Sequence, residues 1–269
     1  MEAKYLRNKR VTTILMLIMM FGLMSTVVSA AAFTLNVNAD GPNYGKDAYQ
    51  IFKDNFGPKP VDGAASDRIF EVNSPIVGNA FEFIVKSTDL LENNTSQRNE
   101  VKVYNASRTE LKAPKDSNYT YKWKFKLDEN FEFPKKAHFF AIFQYKAIGQ
   151  NDDIPLLTFS LDQNVLKFYH NPKGTDNTQR KVLSEANFAN YKNVWVEATV
   201  TVVNSDNGSV SMTLKTLDGK DVMPPYSGNQ DMWIDGANII RPKWGIYRKH
   251  YAEIKDAKIQ FANFQIIKH

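Results

Sequence analysis

The run Tyr119-Thr120-Tyr121-Lys122-Trp123-Lys124-Phe125-Lys126-Leu127 decides the fold. Its aromatic residues and its leucine occupy the odd positions, and its three lysines occupy even positions. Successive side chains of a β-strand point to opposite faces of a sheet. The alternation therefore predicts a strand with one buried face and one solvated, basic face. A row of lysines is usually only a solvated face, and it would attract a polyanion only if that face were the concave one.

The same period of two recurs along the chain. Residues 194–202 and 209–217 alternate in the same way, and the second run ends at the turn dipeptide Asp218-Gly219. Further strands are expected near 69–73, 80–86, 98–105, 137–147, 154–161, 164–170, 243–249 and 257–267. About eleven strands with almost no helix predict an all-β fold, namely a two-sheet β-sandwich (jelly roll) with a concave groove.

One short helix is expected near the start of this domain. Residues 47–56 carry apolar side chains at helical spacing, and Asp47 and Gly57 suit the N-cap and the stop.

The N-terminus has the pattern of a secretory signal peptide. A basic stretch at 2–10 precedes an uncharged run at 11–28, and the small residues Val28-Ser29-Ala30 offer a cleavage site. The alternative is an uncleaved transmembrane anchor, since the uncharged run could just span a bilayer. No charges that would stop transfer follow Ala32, which favours cleavage. We therefore expect a signal peptide at 1–30 and a single secreted domain at 31–269, without membrane contact after cleavage.

The composition excludes several classes of protein. With 13% aromatic and 23% charged residues the chain is not disordered, and without cysteine it has no disulfide, thiolate zinc site or cysteine nucleophile. Removing the four bases and one acid of the signal peptide takes the formal net charge from +5 to +2. Such a charge gives no support for nucleic-acid binding.

The sequence lacks the catalytic motifs that hydrolases usually contain. We find no closely spaced carboxylate pair for a glycosidase, no Gly-x-Ser-x-Gly turn and no metal-binding histidine pair. A glycoside hydrolase is therefore disfavoured, and no cofactor is expected. The histidines left after cleavage are His138, His170, His250 and His269.

Three other segments carry polar residues at strand spacing: Arg98-Asn99-Glu100, Gln144-Tyr145-Lys146 and Lys243-Trp244-Gly245-Ile246-Tyr247-Arg248. Singly, each has an ordinary interpretation: a cross-strand ion pair, the end of a buried strand, and an amphipathic strand. In the third segment a glycine opens a notch where another chain could approach the backbone. Together and in this order, the segments resemble the jelly-roll polysaccharide lyases of the alginate-lyase, glucuronan-lyase and heparin-lyase type.

The resemblance implies roles for these residues. The matching Tyr247 would transfer protons, Gln144 and Arg98 would hold the uronate carboxylate, and Lys243 would support the same site. Many relatives carry histidine as the base where this chain has Lys146, so Lys146 is expected to be either the base or an electrostatic helper. Calcium binds away from the groove in some relatives, but no compact Asp/Asn cluster assigns it here. The further substrate-binding candidates are Arg248, Glu100 and Asn99.

The chemistry of elimination suits these residue types. A guanidinium and an amide can bind the carboxylate while a base removes the neighbouring proton. Tyr247 could take that proton and return one to the leaving oxygen if both leave from one sugar face; otherwise neutral Lys146 is the candidate base. We thus expect a secreted, monomeric polysaccharide lyase that cleaves an anionic, uronic-acid-containing polysaccharide (glucuronan, alginate or heparin-like) by β-elimination. The alternative is a non-catalytic carbohydrate-binding β-sandwich.

Overall fold

A computed structural model describes residues 32–63, 67–172, 174 and 177–269. The predicted signal peptide at 1–30 lies outside these residues. The described residues form fifteen strands, one α-helix and two short 3-10 helices at Thr109–Leu111 and Ala189–Tyr191. In chain order the elements are β1 (Phe33–Val37), α1 (Ala48–Phe56), β2 (Val61–Gly63), β3 (Ile69–Ser74), β4 (Gly78–Val85), β5 (Ser96–Lys102), β6 (Ser117–Leu127), β7 (Phe140–Gly149), β8 (Leu157–Asp162), β9 (Val165–His170), β10 (Lys181–Asn187), β11 (Val196–Asn204), β12 (Gly208–Thr216), β13 (Asp221–Gln230), β14 (Ala237–Lys249) and β15 (Ala257–Lys268).

The strands form two antiparallel sheets that pack face to face. The eight-stranded sheet has the order β13-β12-β11-β6-β15-β4-β3, with β1 paired to β15. The seven-stranded sheet has the order β10-β9-β8-β7-β14-β5-β2. The predicted two-sheet jelly-roll sandwich is thus confirmed.

The odd face of β6 builds the core between the sheets. The ring of Trp123 lies 4.6 Å from that of Phe143, and the rings of Tyr121 and Tyr145 are 5.4 Å apart. These contacts join β6 to β7 of the other sheet. The lysines at 122, 124 and 126 therefore lie on the outer face of the eight-stranded sheet, away from the predicted site strands β5, β7 and β14.

The helix forms where the sequence predicted it and closes one end of the core. The side chain of Asp47 accepts a hydrogen bond from the backbone N–H of Gln50 at 2.8 Å, which caps the N-terminus. Gly57 ends the helix with a φ of 106°, a backbone conformation that favours glycine. The buried Phe56 stacks on Trp244 with 6.1 Å between ring centroids, so the helix packs against β14.

Four strands were not expected: β1, β2, β10 and β13. Three of them, β2, β10 and β13, are edge strands of their sheets. Pro224 and Pro225 lie within β13, and proline is tolerated at an edge because one side of the strand has no partner. Among the described residues no helix has the length and apolar character that crossing a membrane requires.

Candidate active site

The outer face of the seven-stranded sheet carries most of the predicted site residues. On β14, Trp244 and Ile246 are buried in the core, so Lys243, Gly245 and Tyr247 point the other way. Antiparallel pairing places Tyr247 opposite Arg98 and Gly245 opposite Glu100 on β5, and it places Lys243 opposite Gln144 on β7. Sheet register thus brings three segments that are distant in sequence onto one surface.

Gly245 allows β5 to approach β14 closely. Its φ is 142°, and a Cβ atom there would lie 2.2 Å from the carbonyl oxygen of Asn99 and 2.7 Å from the Cα of Glu100. The notch predicted from the sequence exists, and the chain that enters it is the protein's own β5 backbone. This close approach fixes Arg98 beside Tyr247.

Glu100 is the centre of a buried polar cluster. Its side chain is 0% exposed, and its Oε2 accepts a hydrogen bond from the Lys243 ammonium at 2.6 Å. Its Oε1 accepts a hydrogen bond from the Gln144 amide, and its Oε2 lies 3.3 Å from the Nε of Arg98. Glu100 was expected among the substrate-binding residues; the structure places it under the surface, where its covered carboxylate contacts and positions three other side chains.

A second carboxylate completes the cluster. Asp62 on β2 lies 3.1 Å from the Lys243 ammonium and also pairs with Lys102. Burial would raise the pKa of Asp62, but Lys243 and Lys102 outweigh burial and lower the pKa to about 2. Lys243 is buried between two carboxylates, so it supports the site from below rather than by reaching into solvent.

The Gln144 amide keeps donor capacity for a ligand. A side-chain amide has two N–H bonds. One is donated to Glu100, and Gln144 also lines a cleft of about 250 Å³ on the outer face. The second N–H remains for an acceptor in that cleft.

Tyr247 lines the same cleft and contacts a cation and a second ring. The guanidinium of Arg98 lies over the Tyr247 ring, and the ring of Phe139 is 4.9 Å away. The cleft extends from Tyr247 over β7 and β8 to Tyr169 on β9. The Arg180 guanidinium lies 4.1 Å from the Tyr169 ring centroid. Tyr169 and Arg180 were missed because neither stands in a motif; Tyr169 sits in an apolar strand and Arg180 in a loop.

Lys146 lies two register positions beyond Gln144 and on the same face, opposite Arg241 of β14. Burial lowers the pKa of Lys146, and the nearby cations Lys243, Arg98 and Arg241 lower it further, while Asp152 acts in the opposite direction. Arg241 was missed because the strand was expected to begin only at 243. Its only sequence signal is the alternation, which extends past Pro242 to place Arg241 on the same face as Lys243.

Two of the predicted substrate-binding residues are not brought to this surface. Arg248 is 3% exposed, and its Nε donates to the Gln97 side chain at 2.8 Å. Asn99 is buried and donates to the backbone oxygen of Arg68 at 2.8 Å. Both were expected to bind substrate, but the structure points both to the core side of their strands, away from the face that carries Tyr247. The same alternation that points Tyr247 outward points its neighbour Arg248 inward.

Of the residues that the structure describes, no histidine lines the cleft that contains Tyr247. His170 is buried, its Nε2 lies 2.7 Å from the backbone oxygen of Asp231, and burial lowers its pKa. His138 lines an adjoining cavity of about 410 Å³ on the other side of Phe139. Within the described ranges, no group of three or more His, Asp or Glu side chains could hold a metal ion.

The fold is shared with solved lyases of low sequence identity. An endo-β-1,4-glucuronan lyase from the fungus Trichoderma reesei is 14% identical and superposes with a TM-score of 0.57 over 87% of this chain and 94% of that chain. Alginate lyase AlgAT5 from polysaccharide lyase family 7 is 14% identical, with a TM-score of 0.52 over 76% of this chain and 84% of that one. Alginate lyase Aly36B is 12% identical, with a TM-score of 0.56 over 88% and 96%.

The sequence itself gives the assignment to a family. No curated protein matches it. The model of the polysaccharide lyase family matches residues 41–265, which include every residue of the polar cluster and of the cleft. The chain therefore belongs to the polysaccharide lyase family.

Proposed function

We propose that this lyase is secreted and cleaves a uronic-acid polysaccharide by β-elimination. One observation carries the proposal: the Gln144 amide, the Arg98 guanidinium and the Tyr247 hydroxyl share one surface, above a carboxylate that orients the first two. These side chains supply two donors for the sugar carboxylate and one of the groups that can transfer protons in this reaction.

The donors address the first difficulty of the reaction. The proton next to an ionised carboxylate is very weakly acidic, because its removal adds negative charge to a group that is already negative. Arg98 and Gln144 can hydrogen-bond both carboxylate oxygens and stabilise the charge that develops there. Because Glu100 holds their side chains in place, little reorganisation is needed when the substrate binds.

Lys146 is the favoured base, and Tyr247 is the acid that protonates the leaving oxygen. A base must be neutral before it accepts a proton, and the lowered pKa of Lys146 increases its neutral fraction. The other route assigns both proton transfers to Tyr247 and leaves Lys146 as a charged helper. The two routes differ in whether Lys146 must lose its charge.

The length of the cleft suits a polymer. From Tyr247 on β14 to Tyr169 on β9 the cleft crosses three strand spacings, or about 14 Å. Arg180 adds a positive charge at the far end, where it could contact an acidic sugar. Glucuronan and alginate, the polymers named for the structural neighbours, are therefore the first substrates to try.

The decisive experiment is a substrate panel. The protein from residue 31 onward is incubated with glucuronan, alginate and heparin, and unsaturated ends are followed by ultraviolet absorbance. Rising absorbance with at least one polymer supports the proposal. New reducing ends without absorbance would mean hydrolysis, and binding without any cleavage would mean a carbohydrate-binding protein. Secretion is tested separately, by sequencing the N-terminus of protein recovered from the culture medium.

A further inference from the structure

Arg241 and Lys146 face each other across the β7–β14 pair on the outer face of the sheet. Like charges directly opposite each other on neighbouring strands repel and destabilise a sheet. Both side chains are also half-buried, which weakens the screening of that repulsion by water. The free protein therefore maintains an arrangement that lowers its stability.

Two of the three nitrogen atoms of the Arg241 guanidinium lack a partner within the described part of the chain. Its Nε and Nη1 atoms are buried and have no hydrogen-bond partner among the residues that the structure describes. Buried polar groups are nearly always hydrogen-bonded, and buried charges are nearly always paired. Burial accordingly lowers the pKa of Arg241.

Two of the three carboxylates whose fields reach Arg241 are already engaged. Glu100 accepts from Lys243 and Gln144, and Asp62 pairs with Lys243 and Lys102. Asp152 is the third acid whose field reaches Arg241. None of these three acids is hydrogen-bonded to the Nε or Nη1 of Arg241. An anion from outside the protein can satisfy these atoms, and a planar guanidinium is well suited to a carboxylate because it can bind both oxygens.

The position of Arg241 favours a carboxylate other than the one bound by Arg98. Arg98 stands opposite Tyr247, which is six residues beyond Arg241 on β14. At the rise of a strand, this separates the two backbone positions by about 20 Å. The two guanidinium groups approach each other more closely than their backbones do, since the charge of Arg98 contributes to lowering the pKa of Arg241. Two acidic sugars side by side in one polymer fit this arrangement better than one sugar does.

We propose that Arg241 is a specificity-determining residue that binds the carboxylate of a uronate neighbouring the one held by Arg98 and Gln144. This inference rests on the proposed function, since it takes the substrate to be an acidic polysaccharide. It means that the enzyme reads a pair of nearby acidic sugars and not a single one.

The test combines a variant with a modified substrate. Arg241→Gln and the unchanged protein are each assayed on a defined oligouronide and on versions in which one neighbouring carboxyl group is reduced to an alcohol. We expect Arg241→Gln to lower kcat/KM by about tenfold to a hundredfold on the full substrate, and one reduced substrate to lower it equally for the unchanged protein. Combining the two changes should cause no further loss. If the loss caused by the variant and the loss caused by the reduced carboxyl group multiply for every reduced substrate, the proposal is overturned.

Stability separates binding from a structural role. Arg241→Gln removes one of two positive charges that face each other. We therefore expect the unfolding temperature of this variant to rise by about 2 to 4 °C. A lower unfolding temperature with equal activity loss on all substrates would overturn the proposal in favour of a structural role. Arg108→Gln is the matched control, because Arg108 is an exposed loop arginine whose change should alter neither quantity.

The design also keeps the two proposals apart. If the unchanged protein binds oligouronides but yields no unsaturated ends, the elimination proposal fails. The same comparison made with dissociation constants then still decides the role of Arg241. If the protein binds no uronide at all, both proposals are overturned.

Discussion

The guanidinium carbon of Arg98 lies 4.0 Å from the centroid of the Tyr247 ring. The two residues are paired in the register of β5 and β14, so the contact is set by the sheet and not by a mobile loop. A cation over an aromatic face is attracted by the ring. The contact thus orients the phenol.

Removing only the hydroxyl tests this role. Tyr247→Phe keeps the ring, and hence its contacts with Arg98 and Phe139, but it cannot transfer a proton. We expect the rate of unsaturated-product formation to fall by about 10²- to 10⁴-fold, with little change in unfolding temperature or in affinity for an oligouronide. Tyr44→Phe, at an exposed tyrosine far from β14 in sequence, is the control. Activity like that of the unchanged protein would remove Tyr247 from the mechanism.

The charge of Lys146 separates the two routes for proton removal. If Lys146 is the base, kcat/KM rises with pH as its ammonium loses a proton. Because burial and neighbouring cations lower the pKa of Lys146, the rise in kcat/KM occurs at a lower pH than it would for an ordinary lysine.

Two variants make the distinction sharper. Lys146→Arg stays protonated and should be nearly inactive, while Lys146→His should keep measurable activity with its rise moved towards pH 6.5. A pH series of kcat/KM for the three proteins is the measurement. An arginine variant as active as the unchanged protein would mean that position 146 only supplies positive charge.

Asp62 makes stability depend on pH in the acidic range. Its pKa is about 2 in the folded protein against an ordinary value of 3.8, so it stabilises the fold above the ordinary value. That stabilisation is lost as the pH falls from 3.8 towards 2. Asp62→Asn should therefore lower the free energy of unfolding by about 2 kcal/mol at pH 7.

Urea unfolding at pH 7 and at pH 3 measures this effect. The difference between the unchanged protein and Asp62→Asn should shrink at the lower pH. Asp54→Asn, which removes an exposed ion pair with Lys46, should cause no comparable change. A constant difference at both pH values would contradict the role given to the Asp62 charge.

Gly245 is expected to tolerate no side chain. In Gly245→Ala the new methyl group would meet the β5 backbone at 2.2 Å, and the φ of 142° would add conformational strain. We expect a loss of about 3 kcal/mol or more in the free energy of unfolding, measured by chemical denaturation.

Gly219→Ala provides the comparison. That glycine also has a positive φ, 88°, but a Cβ there would have no atom within 4 Å. Only conformational strain applies, and the expected cost is about 1 kcal/mol. Equal costs at the two positions would mean that the close approach of β5 contributes nothing.

The sequence predicted the interior strands well because burial on one face imposes a period of two. The runs that became β6 and β11 alternate without interruption. Edge strands have weaker constraints, so β10 and the proline-containing β13 could not be recognised. The same period of two places Trp244 and Ile246 on the face of the strand opposite to Tyr247. Arg248 belongs to the same face as Trp244 and Ile246, so its position in the core could have been predicted without a structure.

The candidate site was predictable only as far as its motif residues. Arg98, Gln144, Lys146, Lys243 and Tyr247 do meet on one face. Whether a polar side chain touches substrate or another side chain depends on register and on what covers it, and a single sequence contains neither. Glu100 is buried because β2 and Asp62 lie beside it, and nothing in residues 61–63 indicates this. Tyr169 and Arg180 reach the cleft through pairing of β9 with β8 and through a loop, which no local pattern reports.

Glu100 and Tyr247 have different roles on this surface, and this difference limits which substitutions the surface can accept during evolution. Each partner of Glu100 depends on its buried carboxylate, which water cannot replace. A substitution of Glu100 or of one of its partners is therefore tolerated only when a compensating substitution accompanies it. Tyr247 lies outside that hydrogen-bonded group. If it transfers protons as proposed, a single substitution there abolishes catalysis and leaves in place the groups proposed to bind a sugar carboxylate. A descendant of such an enzyme could therefore become a polysaccharide-binding protein through one substitution. Binding a ligand of a different charge would require several coordinated substitutions.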